Sequence, residues 1–404
     1  MPAAGDSLSK LPDVGTTIFT SMSRRARELG AVNVGQGFPD YDIDPRLVEL
    51  VAAAMAAGYN QYAPMEGTGE LREQIAKKLA ASYRIRVDPE SQITITLGAT
   101  EALFSTIQAV VSPGDEVIVF DPVYDSYEPA VRLAGGKCIR LPLLPPKFLY
   151  DWDEVREALT DRTRLVIFNN PHNPTCTVAG ETDLRALAEI VRDRDIHVLA
   201  DEVYEHVVFD GRRHASVLAH PELAARSCAV FSFGKTLHAT GLRVGYAVAP
   251  AGLTRELRKV HQFNTFSIAH PFQYAITNYL QERPDLGQTL AGFFQAKRDY
   301  LCDALRDSSF DVPPAQGTYF QLIDFGALSG THASAVLDTA AAPPDVAFAE
   351  RLLMAGGVAT IPLSPFYETP PKLSVVRLCL AKRDATLLAA AQRLCVFAGG
   401  SGRG

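Results

Sequence analysis

The sequence predicts an α/β protein, a mostly parallel, helix-covered sheet followed by a second, smaller unit, and three observations carry that expectation. Short runs rich in β-branched residues alternate with longer helical patterns between residues 93 and 248, which is how strand–helix–strand units read. The runs are nearly continuous in apolar residues, as strands covered on both faces are. Beyond about residue 290 the pattern changes, and the remaining strand-like segments suit a separate sheet. A chain of 404 residues is also too long for one small core, so two or three domains are expected.

In chain order, the first ~15 residues carry no periodic pattern and read as a mobile arm. Strands are expected at 93–97 (ITITL), 116–120 (EVIVF), 165–169 (LVIFN), 196–200 (IHVLA), 229–233 (AVFSF) and 244–248 (VGYAV). Helices are expected at 101–111, 181–194 and 252–263, several opened by Gly, Ser, Thr or Asp. A long helical stretch follows over 283–308. After it, GTYFQLIDF, GVATIPL and VVRLCLA read as strands of the smaller sheet, with helices at 346–355 and 385–397. The Ala/Ser/Pro-rich stretch 330–344 has no strong period and reads as an excursion loop. The domains then divide as 1–45, an arm with part of the small domain, 46–290, the large domain, and 291–404, the C-terminal small domain.

Composition narrows the function classes. Hydrophobic residues make up 47% and charged ones 21%, the balance of a folded, soluble protein. No run approaches the ~20 apolar residues of a membrane span, and the first residues lack an apolar signal core, so a cytoplasmic location is expected. The net charge of -7, with no Lys/Arg stripe, offers no footprint for nucleic acid. The six cysteines (138, 176, 228, 302, 379 and 395) include no C-x-x-C pair and read as reduced core thiols rather than zinc ligands or disulfides. Small-molecule chemistry is the remaining default.

The residues that bear chemistry sit where such runs end. Lys235, in Ser232-Phe233-Gly234-Lys235-Thr236, follows a buried strand and has three readings. It can be a solvated loop lysine. A phosphate-binding G-x-x-x-x-G-K-[ST] loop would need Gly where Ala229 stands, and an S-x-x-K nucleophile site would need a K-T-G that is absent. Thirdly, it can be a Schiff-base lysine, whose ammonium loses its proton in a low-dielectric site and then attacks an aldehyde. Asp201 closes the apolar run IHVLA, and a carboxylate there needs a partner, either a helix N-terminus or a protonated pyridine nitrogen. Gly98-Ala99-Thr100-Glu101 turns from strand to helix and presents free N–H groups to an anion. Ser232 and Arg243 can add a hydroxyl and a guanidinium to the same anion, although Arg243 also reads as a surface side chain.

Nine motifs in this order resemble a known family: GQGFPD (35–40), NQYAP (60–64), GATEAL (98–103), DPVYDSY (121–127), NNPHNP (169–174), DEVYEH (201–206), SFGKT (232–236), GLRVGY (241–246) and VRLCLAK (376–382). They resemble the class I/II pyridoxal-phosphate-dependent aminotransferases, and within them the bacterial methionine aminotransferases, relatives of the kynurenine/glutamine enzymes. The resemblance spans about 14 to 396 and implies the fold type I architecture, a large domain with a mostly parallel seven-stranded sheet plus a smaller α+β domain. It also implies roles. Lys235 would carry pyridoxal 5'-phosphate as a Schiff base and shuttle the proton, Asp201 would hold the ring nitrogen protonated, and Tyr204 and Asn173 would bind the ring oxygen. Tyr124 would stack on the ring, Ala99, Thr100, Ser232 and Arg243 would hold the phosphate, and Tyr62 would reach in from the second subunit of a homodimer. Arg377 would grip the substrate α-carboxylate with Asn173 and the Gly37 N–H, and Phe19, Phe266, Phe366 and Tyr367 would form an apolar pocket.

An amino acid would give its nitrogen to the cofactor and a 2-oxo acid would take it, with methionine and other apolar or aromatic amino acids as donors. Kynurenine-type enzymes of animals carry histidine after the pocket phenylalanine, whereas Ser267 follows Phe266 here. A carbon–sulfur β-lyase would use the same lysine. A cofactor-sensing regulator would need a DNA-binding domain, and fewer than ~35 residues precede GQGFP, too few for a helix-turn-helix.

Overall fold

The computed structural model describes residues 9–328 and 342–399. The expected excursion loop at 330–344 lies largely outside the described residues, as do the first eight residues of the N-terminal arm. Residues 9–17 form no helix or strand.

A seven-stranded sheet organises the larger part of the chain. Its strands are β2 (Ile93–Thr96), β3 (Glu116–Asp121), β4 (Lys137–Pro142), β5 (Thr163–Asn169), β6 (His197–Asp201), β7 (Ser227–Ser232) and β8 (Gly245–Val248), in the order β2-β8-β7-β6-β5-β3-β4. Only β8 runs against its neighbours, so the sheet is mostly parallel, as the resemblance implies. Six of the seven strands match the apolar runs. β4, KCIRLP, escaped that reading because most of its residues are partly exposed and it has no apolar run, whereas β2, the other edge strand, is buried throughout. Phe233, expected at the end of a strand, instead opens the single helical turn Phe233–Thr236.

Alternate side chains of each strand feed opposite faces, as the period of two requires. On β3, Ile118 and Phe120 join a core with Leu71, Ile75, Leu184 and Ile276, whereas Val117 and Val119 join Leu103, Ile107 and Leu257 on the other face. Emptying one fully buried ring here, such as Phe168 to Ala, costs ~3–5 kcal/mol. The sheet is thus a rigid plate between two helical layers.

A second core gathers around a three-stranded antiparallel sheet of β11 (Ile361–Pro362), β12 (Val375–Cys379) and β9 (Phe320–Asp324). The segment GVATIPL, read as one strand, divides at Thr360. Its first part, β10 (Val358–Ala359), pairs in parallel with β1 (Val32–Asn33), which draws the N-terminal arm into this core. The long helix Leu286–Leu305 serves both cores, with Leu290 and Phe294 in one and Leu301 and Leu305 in the other. Among the described residues no helix is long and apolar enough to cross a membrane.

Candidate active site

The strands that matter end along one edge of the large sheet. Asn169 closes β5 directly opposite Asp201, which closes β6, and Ser232 closes β7 opposite Gly245. β2 points the same way, and Gly98 begins the helix Gly98–Val110 two residues after it. In open α/β sheets ligands bind outside such strand ends.

Asp201 is 5% exposed and accepts a hydrogen bond from the Tyr127 hydroxyl at 2.6 Å. Burial raises its carboxyl above the usual range, and the Tyr127 bond works against that rise. Its main-chain oxygen takes the Asn169 side-chain amide at 2.9 Å, while Asn169 Oδ1 accepts the Asn173 N–H at 2.8 Å. One side chain therefore fixes both the Asp201 strand end and the Asn173 loop.

Lys235 stands on the helical turn just past β7, and its Nζ donates to the Tyr319 hydroxyl at 2.6 Å. Its pKa is lowered to about 8, chiefly by burial and also by the nearby Arg377 and Arg243 charges, with Cys379 and Asp201 opposing them. Tyr204, 3% exposed, lies edge-on to Tyr319 with ring centroids 4.9 Å apart.

The turn at Gly98 has φ +68°, and the Arg243 guanidinium lies against it, so that a β-carbon there would sit 2.8 Å from Arg243 Nη2. Burial pushes the Tyr124 phenol up to about 12, and the neighbouring Thr100 side chain works against that rise. Helix N-terminus, hydroxyl and guanidinium thus meet in one place, a combination suited to an anion.

Arg377, on β12, is 1% exposed and reaches across from the smaller sheet to Asn173 Oδ1 at 2.6 Å. Its Nη2 donates to the Gly35 carbonyl at 3.2 Å, and its Nε has no hydrogen-bond partner among the described residues. The guanidinium lies 3.8 Å from the Phe320 ring centroid and 5.1 Å from that of Phe19. Phe19 in turn packs on Phe366 at 5.4 Å. A β-carbon on Gly37 would meet the Phe320 ring at 2.8 Å, so only glycine lets that loop approach.

Three of the residues singled out in the sequence stand apart within the single chain. Tyr62 and Phe266, 82% and 45% exposed, pack edge-on against one another at 5.2 Å. Ser267 pins their two loops together through the Ala63 carbonyl at 2.8 Å. Among the described residues, no hydrogen bond or ring contact links either to Lys235 or Arg377. Tyr367 turns its hydroxyl to the Leu143 carbonyl at 2.8 Å and packs in the large core, not beside Phe19.

The chain that carries this depressed lysine, buried carboxylate and anion cradle is similar to known proteins in sequence and fold. The family described as aminotransferase class I and II matches residues 30–394. The chain belongs to that family. A methionine aminotransferase of Escherichia coli (strain K12) is 50% identical over 386 residues, 96% of this chain and 97% of that protein. The crystal structure of YbdL from Escherichia coli, which identifies a methionine aminotransferase function, superposes with a TM-score of 0.92 at 48% identity, covering 97% of this chain and 99% of that one. A probable N-succinyldiaminopimelate aminotransferase of Mycobacterium tuberculosis is 37% identical, over 97% of this chain and 98% of that protein. The fold is accordingly the fold type I aminotransferase fold, and the chain is an aminotransferase.

Three residues of the candidate site are not among those singled out in the sequence. Tyr127 closes the DPVYDSY motif, so its place beside Tyr124 was a usable signal. Asn169 opens NNPHNP at a strand end and carried a similar one. Tyr319, inside GTYFQLIDF, read as ordinary core and carried none.

Proposed function

We propose that the chain transfers the α-amino group of methionine and related apolar or aromatic amino acids to a 2-oxo acid, with pyridoxal 5'-phosphate held by Lys235. The observation that carries the substrate class is the setting of Arg377. Its buried guanidinium keeps, among the described residues, an unpartnered Nε for a carboxylate, with the Phe320 and Phe19 rings beside it and Phe366 packed on Phe19. Arg140 approaches the Phe366 carbonyl at 2.9 Å, but it is already engaged by Asp121 and Glu128 and offers no free charge to a second carboxylate. The 50% identity with the Escherichia coli methionine aminotransferase supports the same reading.

The residues fit this cofactor. A buried carboxylate suits a protonated pyridine nitrogen, the Gly98–Arg243 cradle suits a phosphate, and an amine with pKa about 8 suits an aldehyde. When bound, pyridoxal phosphate supplies the aldehyde that takes up the substrate nitrogen and the electron-withdrawing ring. Asp201 would hold the proton on the ring nitrogen, and Tyr127 holds Asp201. Tyr204 and Asn173 would donate to the ring oxygen, Tyr124 would cover the ring face, and Ala99, Thr100, Ser232 and Arg243 would hold the phosphate. Arg377, Asn173 and the Gly37 N–H orient the α-carboxylate, and Lys235, once free, moves the proton at the α-carbon.

The proposal includes a homodimer, in which Tyr62 and Phe266 of a second copy complete the site, and a cytoplasmic location, which the six free thiols support. It also includes the division at 45 and 290, supported by the pairing of β1 with β10 and by the two cores that the Leu286–Leu305 helix joins.

An acidic side chain buried among these rings without a partner would cost several kcal/mol, whereas a thioether gains burial and sulfur–aromatic contact. Even partial desolvation makes kcat/KM for methionine roughly a hundredfold higher than for aspartate. Steady-state values with a common 2-oxo acid acceptor test this, and a higher value for aspartate overturns it.

A further inference from the structure

The hydroxyl of Tyr319 stands between two groups that the proposed reaction needs. It lies 2.6 Å from Lys235 Nζ and 2.5 Å from the Gly37 carbonyl oxygen. Its ring is 1% exposed and wedged among Tyr204, Phe294 and Phe320, so the hydroxyl has little freedom to turn away.

A phenol has one hydrogen to give and lone pairs with which to accept. The Gly37 carbonyl can only accept, so the Tyr319 hydrogen is directed there. Toward Lys235 the hydroxyl is then an acceptor and nothing else. A neutral amine carries two N–H bonds and one lone pair, and giving an N–H to Tyr319 leaves the lone pair unengaged. Were the phenol free to donate, it would cap that lone pair.

Resting on the reading of Lys235 as the cofactor-bearing residue, we propose that Tyr319 is its positioning residue, holding the free ε-amine by one N–H with the lone pair kept available. In the step so prepared, the amine lone pair forms a C–N bond to the aldehyde carbon. The carbonyl oxygen then leaves as water with both hydrogens of the amine, and a C=N bond remains. The same contact gives Lys235 a defined place whenever substrate displaces it.

The charged or titratable groups facing Lys235 are Asp201 and Tyr204 from the end of β6, Arg377 and Cys379 from β12, Arg243 before β8, and Tyr319 itself. Against that fixed background, a hydroxyl that accepts from the ammonium favours the charged form, so its removal should move the Lys235 titration down.

The test uses full-length protein freed of cofactor. Pyridoxal 5'-phosphate is added over a range of concentrations and pH, and imine formation is followed by absorbance. The product is trapped with borohydride and mapped by peptide mass. In Tyr319→Phe the limiting rate at high pH should fall about tenfold, because a bound aldehyde meets a wandering amine. The midpoint of its pH dependence should move down, while the half-saturating concentration, set by the Gly98–Arg243 cradle, stays within about twofold. Replacing Tyr319 by 3-fluorotyrosine, which keeps the ring and the Gly37 bond but accepts more weakly, should give a smaller change in the same direction even if the Phe variant fails to fold. Label on Lys235 with unchanged rate and midpoint in both variants overturns the Tyr319 role alone. A parallel loss of rate and affinity in the fluorotyrosine protein marks a merely structural role and also overturns it. Label on another lysine in the wild type removes the Lys235 reading and this inference with it.

Discussion

At the scale of single residues, the site is a set of groups held away from their ordinary ionisation. Asp201 is raised by burial and relieved by Tyr127, whose hydrogen bond to a buried carboxylate is the kind worth ~1.5–3 kcal/mol. Tyr127→Phe should let the Asp201 carboxyl rise further and reduce kcat/KM about ten- to hundredfold, measured in steady state beside a thermal melt. Lys235 is the opposite case. Its folded pKa of about 8 lies below the 10.5 of a free side chain, so the unfolded chain binds more protons between those values. Its contribution to stability therefore rises with pH through that window, and its full burden is present below about 8. Lys235→Met should be more stable than wild type near pH ~7 and lose part of that advantage near pH ~9, as read from urea unfolding. An advantage that grows with pH would contradict the depressed lysine. Asp201 drew notice because a charge ending an apolar run needs a partner, Lys235 because it follows a buried strand, and Arg377 through the family resemblance alone. Tyr319 drew none, because a tyrosine in an apolar strand looks like core until its hydroxyl is seen to bridge Lys235 and Gly37.

At the scale of elements, apolar runs disclosed the strands buried on both faces, and exposure hid the rest. Six strands, the edge strand β2 among them, read directly from the sequence, whereas β4, half open to solvent, did not. The split at Thr360 was also illegible, since nothing local says that Val358–Ala359 and Ile361–Pro362 pair with different sheets. The sequence shows the Gly98 turn from strand to helix, but not its positive φ or its contact with Arg243. Gly98→Ala would strain the backbone by roughly 1 kcal/mol and press on the guanidinium. Cofactor affinity should fall about tenfold, measured by equilibrium titration of cofactor-free protein, with the melting temperature little changed.

At the scale of the whole molecule, the chain joins a rigid sheet that carries Lys235 and Asp201 to a second sheet that carries Arg377. The Leu286–Leu305 helix runs between their cores, and Arg377 bonds across to Asn173. Motif order made that assembly readable from the sequence, because the resemblance supplied the three-dimensional proximity that spacing alone does not. Two aromatic loops remain on the surface, Tyr62 with Phe266, and Phe263 beside them in sequence is 87% exposed. If a second copy covers them, mixing inactive Tyr62→Phe and Lys235→Ala proteins should restore part of the activity in hybrid dimers. No recovery in verified hybrids would contradict a shared site. All of these readings depend on one covalent attachment. Borohydride reduction of the protein purified with its cofactor, followed by peptide mapping, should place a pyridoxyl group on the peptide containing Lys235. A pyridoxyl group on any other lysine, or none at all, would contradict the account.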